Sequence, residues 1–283
     1  MLGRASQRGR GALRRSFVIW VKVAVSRALI RIVAMYGDPL WIVVNVGGPM
    51  LTSLALAFLY RLAGLSSLTG FAILGGGMVS YWGNVIWSMA SQLNWDKRSG
   101  MIYLYIASPA PLTALLIGMS LGGILGTLPS SIAVLIIGTL LFRPPFAPPT
   151  MAVALIFMLT LVALYGMGIA LSSLYLILGR ESEEVNEVLY ESISFLSGIY
   201  FPSIGRFSPL PLAVQAVASL IPLTLGMDAL RRTLFYAEGL TELWPNLSAL
   251  AAMAVASIFI GLRTLSYIER RGRETGDILV AMK

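Results

Sequence analysis

Asp96, Lys97 and Arg98 stand in a row inside NWDKRSGMIYLYIASPAP, residues 94–111, in a chain where charged residues make up only 12%. The other groups able to bind ions or protons are Glu187 and Glu191, one helical turn apart, and the pair Arg27 and Arg31, also four apart. Carboxylates of this kind serve ion pairing, cation binding or proton coupling. Cysteine and histidine are absent from the sequence, so thiolate nucleophiles, disulfides, imidazole bases and imidazole metal sites are excluded. With no cluster of membrane-facing carboxylates either, no catalytic constellation is expected, which disfavours a lipid-processing enzyme. No metal site is expected.

The elements that carry these residues are set by composition. Apolar residues make up 57% of 283 and the mean hydropathy is +0.80, too little polar surface to cover a soluble globule of this size. Six spans are expected, roughly 39–60, 68–90, 114–142, 150–178, 185–201 and 244–262, in an all-α integral membrane protein. Residues 1–38 form a basic tail and an interfacial helix, residues 39–262 the membrane domain, and residues 263–283 a basic tail. No removable signal peptide is read at the start. The segment 16–36 is apolar but carries Lys22, Arg27 and Arg31, each expensive at the bilayer centre. It is expected to lie in the membrane interface as two shorter helices meeting near Ser26, with Gly37-Asp38-Pro39 breaking the chain before the first span.

With six spans, sixteen Lys and Arg residues fall on the side of the termini and five on the other: Arg61, Arg143, Arg206, Arg231 and Arg232. The positive-inside rule then makes both termini cytoplasmic in the cell membrane. The net charge of +8 fits attraction to anionic lipid, since basic residues are spread along membrane-flanking segments. No nucleic-acid partner is expected.

On the far side, residues 202–243 stay apolar yet are cut by Pro209, Pro211 and Pro222. Two short helices dipping into the outer leaflet are expected, about 212–220 and 223–235. On span three, Gly118, Gly122 and Gly126 form consecutive small-xxx-small spacings that favour close helix packing. The opening stretch becomes a cytoplasmic helix of about 95–108, with Asp96 at its N-terminal cap or first turn and Pro109 and Pro111 ending it. The alternative is an interfacial linker whose tyrosines sit at headgroup level. The acidic loop around Arg180, Glu181, Glu183 and Glu184 either meets a partner or the N-terminal helix, or is solvated.

Asp96, Arg98, Gly100, Leu104, Ser108 and Pro109 resemble the pattern of type-2 ABC transporter permeases: a charged cluster, a glycine, a short apolar helix and Ser-Pro. SGIYFP at 197–202 and IPLTLGMDALRRTLF at 221–235 resemble the outer-leaflet signature of the same family, through Pro202, Pro222, Leu223, Thr224, Asp228 and Arg231. The resemblance covers nearly the whole chain.

It implies a half-transporter that pairs as a homodimer or heterodimer and seats on two copies of a separate ATPase subunit. The coupling residues would be Trp95, Asp96, Arg98, Gly100, Tyr103, Leu104, Tyr105, Ser108 and Pro109. The family's substrate path, lined by spans one, two and five, would be formed by Asn45, Tyr81, Asn84, Trp87, Ser194, Phe195 and Tyr200, for each of which helix–helix hydrogen bonding is the alternative role. The chain lacks a G-x-x-x-x-G-K-[ST] phosphate loop, so ATP and Mg are expected on the partner and no cofactor on this chain. The competing reading is an ion-coupled secondary transporter using Glu187 and Glu191, which could otherwise pair with Arg27 or Arg31. Against it stand the lack of an evident inverted repeat and of mid-bilayer charges. The substrate class, drug, lipid or polysaccharide, does not follow from the sequence.

Overall fold

The computed structural model describes residues 2–108, 111–148, 150–205 and 208–275, and these are all-helical, with no strand among them. In order come α1 (Leu2–Gly37), α2 (Pro39–Leu62), α3 (Thr69–Gly83), a π-helical segment (Asn84–Ala90), α4 (Gln92–Arg98) and α5 (Met101–Ala107). They are followed by α6 (Leu112–Phe142), α7 (Met151–Leu178), α8 (Ser182–Leu196), α9 (Leu212–Ala218), α10 (Pro222–Tyr236) and α11 (Trp244–Thr275). Four helical runs are long and apolar enough to cross a membrane: Pro39–Leu62, Leu112–Phe142, Met151–Leu196 and Trp244–Glu274. The α9–α10 pair, bent by 102°, makes five if it counts as one span.

The core is built around α3. Fourteen of its fifteen residues are buried, because the run Gly75-Gly76-Gly77 lets three neighbours approach its backbone at once. A Cβ on Gly75 would overlap the carbonyl of Ile199, one on Gly76 would overlap Ser53 of α2, and one on Gly77 would lie 3.1 Å from the Ser131 hydroxyl of α6. After α3 the chain passes through the π-helical segment, whose extra residue rotates the faces that follow, and Ser91 donates to the Ile86 carbonyl at 3.0 Å there. At Gly179, whose φ of 64° suits glycine, the chain turns back. Asn94 meets Ser182, Trp82 meets Tyr190 and Gly75 meets Ile199, so α8 runs antiparallel to the whole α3–α4 stretch.

Proline breaks are met by side chains. Pro39 starts α2, with the Asp38 carboxylate accepting from the Leu40 amide at 2.9 Å. Pro49 inside α2 cannot donate to the Asn45 carbonyl, and Ser130 of α6 points its hydroxyl there at 3.4 Å.

The N-terminal segment departs from expectation. It forms one continuous helix through Ser26, without a junction. It also packs lengthwise on α6: Gly118 faces Ala24 and Arg27, Gly122 faces Ala28 and Arg31, and Gly126 faces Met35. Contacts that advance together over three turns make the two helices near-parallel. The glycine stripe on α6 is a packing groove, as its spacing indicated, and its occupant is α1. Likewise α11 continues past Leu262 to Thr275. The two short helices after residue 202 fall where the prolines placed them.

Gly75→Ala is expected to destabilise the fold by about 1–3 kcal/mol, the usual range for overpacking against unyielding atoms. Gly47→Ala, where nothing lies within 4 Å of the added methyl, should be neutral or stabilising. Thermal unfolding in detergent distinguishes the two, and equal melting temperatures would contradict the packing described.

Candidate functional site

The stretch 94–111 is two helices, not one. α4 ends at Arg98, Gly100 takes a left-handed φ of 77°, and α5 begins at Met101. Asp96 therefore sits in the last turns of α4 and caps nothing. Ser108 closes α5, Pro111 precedes α6, and Pro109 lies outside the described residues.

Asp96 is 7% exposed and is the sole acidic residue between 91 and 113. Its Oδ1 accepts from Gln92 at 2.8 Å, and its Oδ2 lies 3.9 Å from a guanidinium nitrogen of Arg27 on α1. Burial first, then the Asp96 carboxylate beside it, raise the Tyr105 phenol above its ordinary value against a smaller opposing pull from Arg27, so the phenol stays neutral.

The rest of α4 grips the α7–α8 elbow. Asn94 donates to the Gly179 carbonyl at 2.9 Å and to Ser182 at 2.7 Å, while Lys97 donates to the Leu176 carbonyl at 3.2 Å. Arg98 reaches the Gly179 and Arg180 carbonyls and pairs with Glu183. The charged elbow thus meets α4, which sequence reasoning did not propose. At the other end of α5, the Glu269 carboxylate of α11 accepts from the first amide of α6, and Arg273 bridges Glu269 to the Ser108 carbonyl. On the outer face of α5, Met101, Tyr103 and Leu104 are exposed, whereas Ile102 is fully buried and Tyr105 packs on the core.

Beyond α4, a cavity of about 510 Å³ opens between α2, α3, α6 and α8. Asn45, Asn84 and Trp87 line it, joined by Trp41, Trp95 and Tyr190. Hydroxyls of Thr127 and Ser130 form part of the wall, and the run TLPSS within an otherwise apolar α6 was their sequence signal. Asn84 also accepts from the Tyr165 phenol at 3.0 Å, so it serves helix packing as well. The remaining expected path residues are elsewhere. Tyr81 is buried against Phe157 of α7, Ser194 is fully buried, Phe195 is exposed and edge-on to Phe201, and Tyr200 lines a separate small crevice.

The segments 197–202 and 221–235 converge. Arg231 is 4% exposed and donates to the carbonyls of Gly198 and Phe201, with its guanidinium 4.8 Å from the Phe71 ring centre. Thr224 points at the Leu196 carbonyl, and Asp228 accepts from Asn246 at 2.8 Å. Pro222 and Leu223 are buried at the start of α10, and Pro202 shares a crevice with Asp228 and Arg231. Glu187 and Glu191 are both exposed, and neither forms an ion pair among the described residues. The expected pairing with Arg27 or Arg31 is replaced by Arg27 with Asp96.

The chain matches no protein-family model and no curated protein.

Asp96→Asn leaves Arg27 without its buried countercharge and is expected to lower stability by about 3 kcal/mol. Glu183→Gln removes only a solvated pair and should cost under about 1 kcal/mol. Chemical denaturation in detergent checks the ranking, and a larger loss at Glu183 would contradict it.

Proposed function

We propose that this chain is the membrane-spanning permease subunit of an ATP-driven exporter of the type-2 ABC class. It would pair with a second permease subunit, the same or different, and with two copies of a separate ATPase that carries ATP and Mg. The single observation that supports this most is the position of α5: a short helix with an exposed apolar face, wired at one end to the α7–α8 elbow and at the other to α6 and α11.

In this reading there are six spans: α2, the broken α3–α4 traverse, α6, α7, α8 and α11. The termini, α5 and the elbow lie in the cytoplasm, and α9–α10 is a re-entrant pair in the outer leaflet of the cell membrane. The 31 residues of α6 exceed the ~20 needed to cross the hydrocarbon. Its first turns, Gly118 and Gly122 among them, then stand at headgroup level, where Arg27 and Arg31 of α1 are affordable neighbours.

Coupling follows from the hydrogen bonds. A push on α5 moves α4, and α4 carries the elbow because Asn94, Lys97 and Arg98 hold its carbonyls. Both walls that bear Trp87 and Tyr190 would then tilt together, changing access to the cavity. That cavity, aromatic with amides and hydroxyls and lined by no charged side chain, suits an amphipathic, largely uncharged substrate of the drug or lipid kind.

Replacing Tyr103 and Leu104 with Asp places charge on the exposed face of α5 without touching the core. The variant should keep its melting temperature and lose at least tenfold in association with the ATPase and in ATP-dependent transport in vesicles. Unchanged association and transport would reject α5 as the coupling element.

A further inference from the structure

Four described arginines lie at the end of the helices opposite α4 and α5: Arg61, Arg143, Arg231 and Arg232. Arg231 is consumed by backbone carbonyls, and Arg232 is held by Glu238 at 2.6 Å with Asp228 and Glu242 close by. Arg61 and Arg143 remain. Their guanidinium groups form no ion pair or hydrogen bond among the described residues, and both residues line one cavity of about 320 Å³. Three hydroxyl residues, Ser66, Ser67 and Thr69, line the same cavity, and no acidic side chain does. Ser66 and Ser67 have no side-chain hydrogen bond among the described residues, while Thr69 donates to the Ser66 carbonyl at 2.7 Å and retains its lone pairs. Arg143 also holds a left-handed φ of 47° at the end of α6, where glycine would be free of strain.

We infer that this cavity is an anion site for a phosphate group. Two guanidinium forks and free hydroxyl donors match the several acceptor oxygens of a tetrahedral phosphate better than a single carboxylate. Among the described residues the acids at this end gather around Arg232, and none pairs with Arg61 or Arg143. A phosphate here comes from an outer-leaflet lipid headgroup or from a soluble phosphate compound; the chemistry of recognition is the same. The side of the membrane rests on the topology proposed above, and binding and side are read separately.

Binding is measured by thermal shift of the purified chain in a neutral detergent, titrated with inorganic phosphate or with dihexanoyl phosphatidylglycerol at matched ionic strength. The melting temperature of the wild type is expected to rise, and Arg61→Gln/Arg143→Gln to weaken the apparent affinity at least tenfold. Arg143→Gly removes the guanidinium while relieving the backbone, so weaker binding with unchanged or higher basal stability is the signature. Arg180→Gln/Arg263→Gln, which removes the same charge elsewhere, should leave binding unchanged. A response to the lipid at tenfold lower concentration than to phosphate assigns the headgroup source, and an equal response assigns a soluble anion; either supports the site. No wild-type response, or an equal response in the folded Arg143→Gly variant, overturns it. In this cysteine-free chain, labelling of Ser67→Cys in intact cells by an impermeant thiol reagent reports the side alone.

Discussion

A backbone group freed by a break in a helix needs a hydrogen-bond partner, from water where it is exposed and from inside the protein where it is buried or where hydrocarbon offers none. This chain breaks its helices often, at Asp38, Pro49, the π-helical segment, Gly100, Gly179 and the turn from Ser197 to Pro202. Long or hydroxylic side chains answer most of these interruptions from neighbouring helices. Ser130 covers the carbonyl that Pro49 abandons, Asn94 and Arg98 cover Gly179, and Arg231 covers Gly198 and Phe201. Removing one such donor strands buried acceptors, which costs about 1–3 kcal/mol each.

The same arrangement ties the breaks to one another. Hinges held by side chains from other elements move together, and the rigid helices between them carry the displacement. The elbow at Gly179 cannot shift without α4, and α4 leads through Gly100 directly to α5. At the opposite end, Arg231 joins the turn after α8 to α10, so α8 is fastened at both ends. The cavity between α3 and α8 lies along this path, with Trp87 and Tyr190 on its walls 6.0 Å apart between ring centres.

Much of this was legible in the sequence. Prolines fixed the limits of α9 and α10, and the glycine spacing on α6 announced a close helix contact. The identity of that contact, α1, was not legible, because a small-residue groove does not name its occupant. Cation binding and pairing with Arg27 or Arg31 were both open for Glu187 and Glu191, and the structure instead sets Arg27 beside Asp96 of α4. The stretch 94–111 reads as one helix of about 95–108 entered from a loop at Asp96–Arg98, whereas the left-handed backbone at Gly100 separates α4 from α5. Of the seven residues named for a substrate path, Asn45, Asn84 and Trp87 share one cavity, while Tyr81, Ser194, Phe195 and Tyr200 lie apart from it. Which face a residue presents depends on tertiary packing that an almost uniformly apolar helix does not encode.

The account stands or falls on coupling to a separate ATPase. Its most direct measurement is the composition and energy source of the complex purified from its native membrane in mild detergent and returned to sealed vesicles. Two 30.5 kDa permease chains, or one with a related partner, should be found with two ATP-binding subunits, and transport should require ATP and stop with vanadate. A chain that purifies without an ATPase and transports on an ion gradient alone would contradict it.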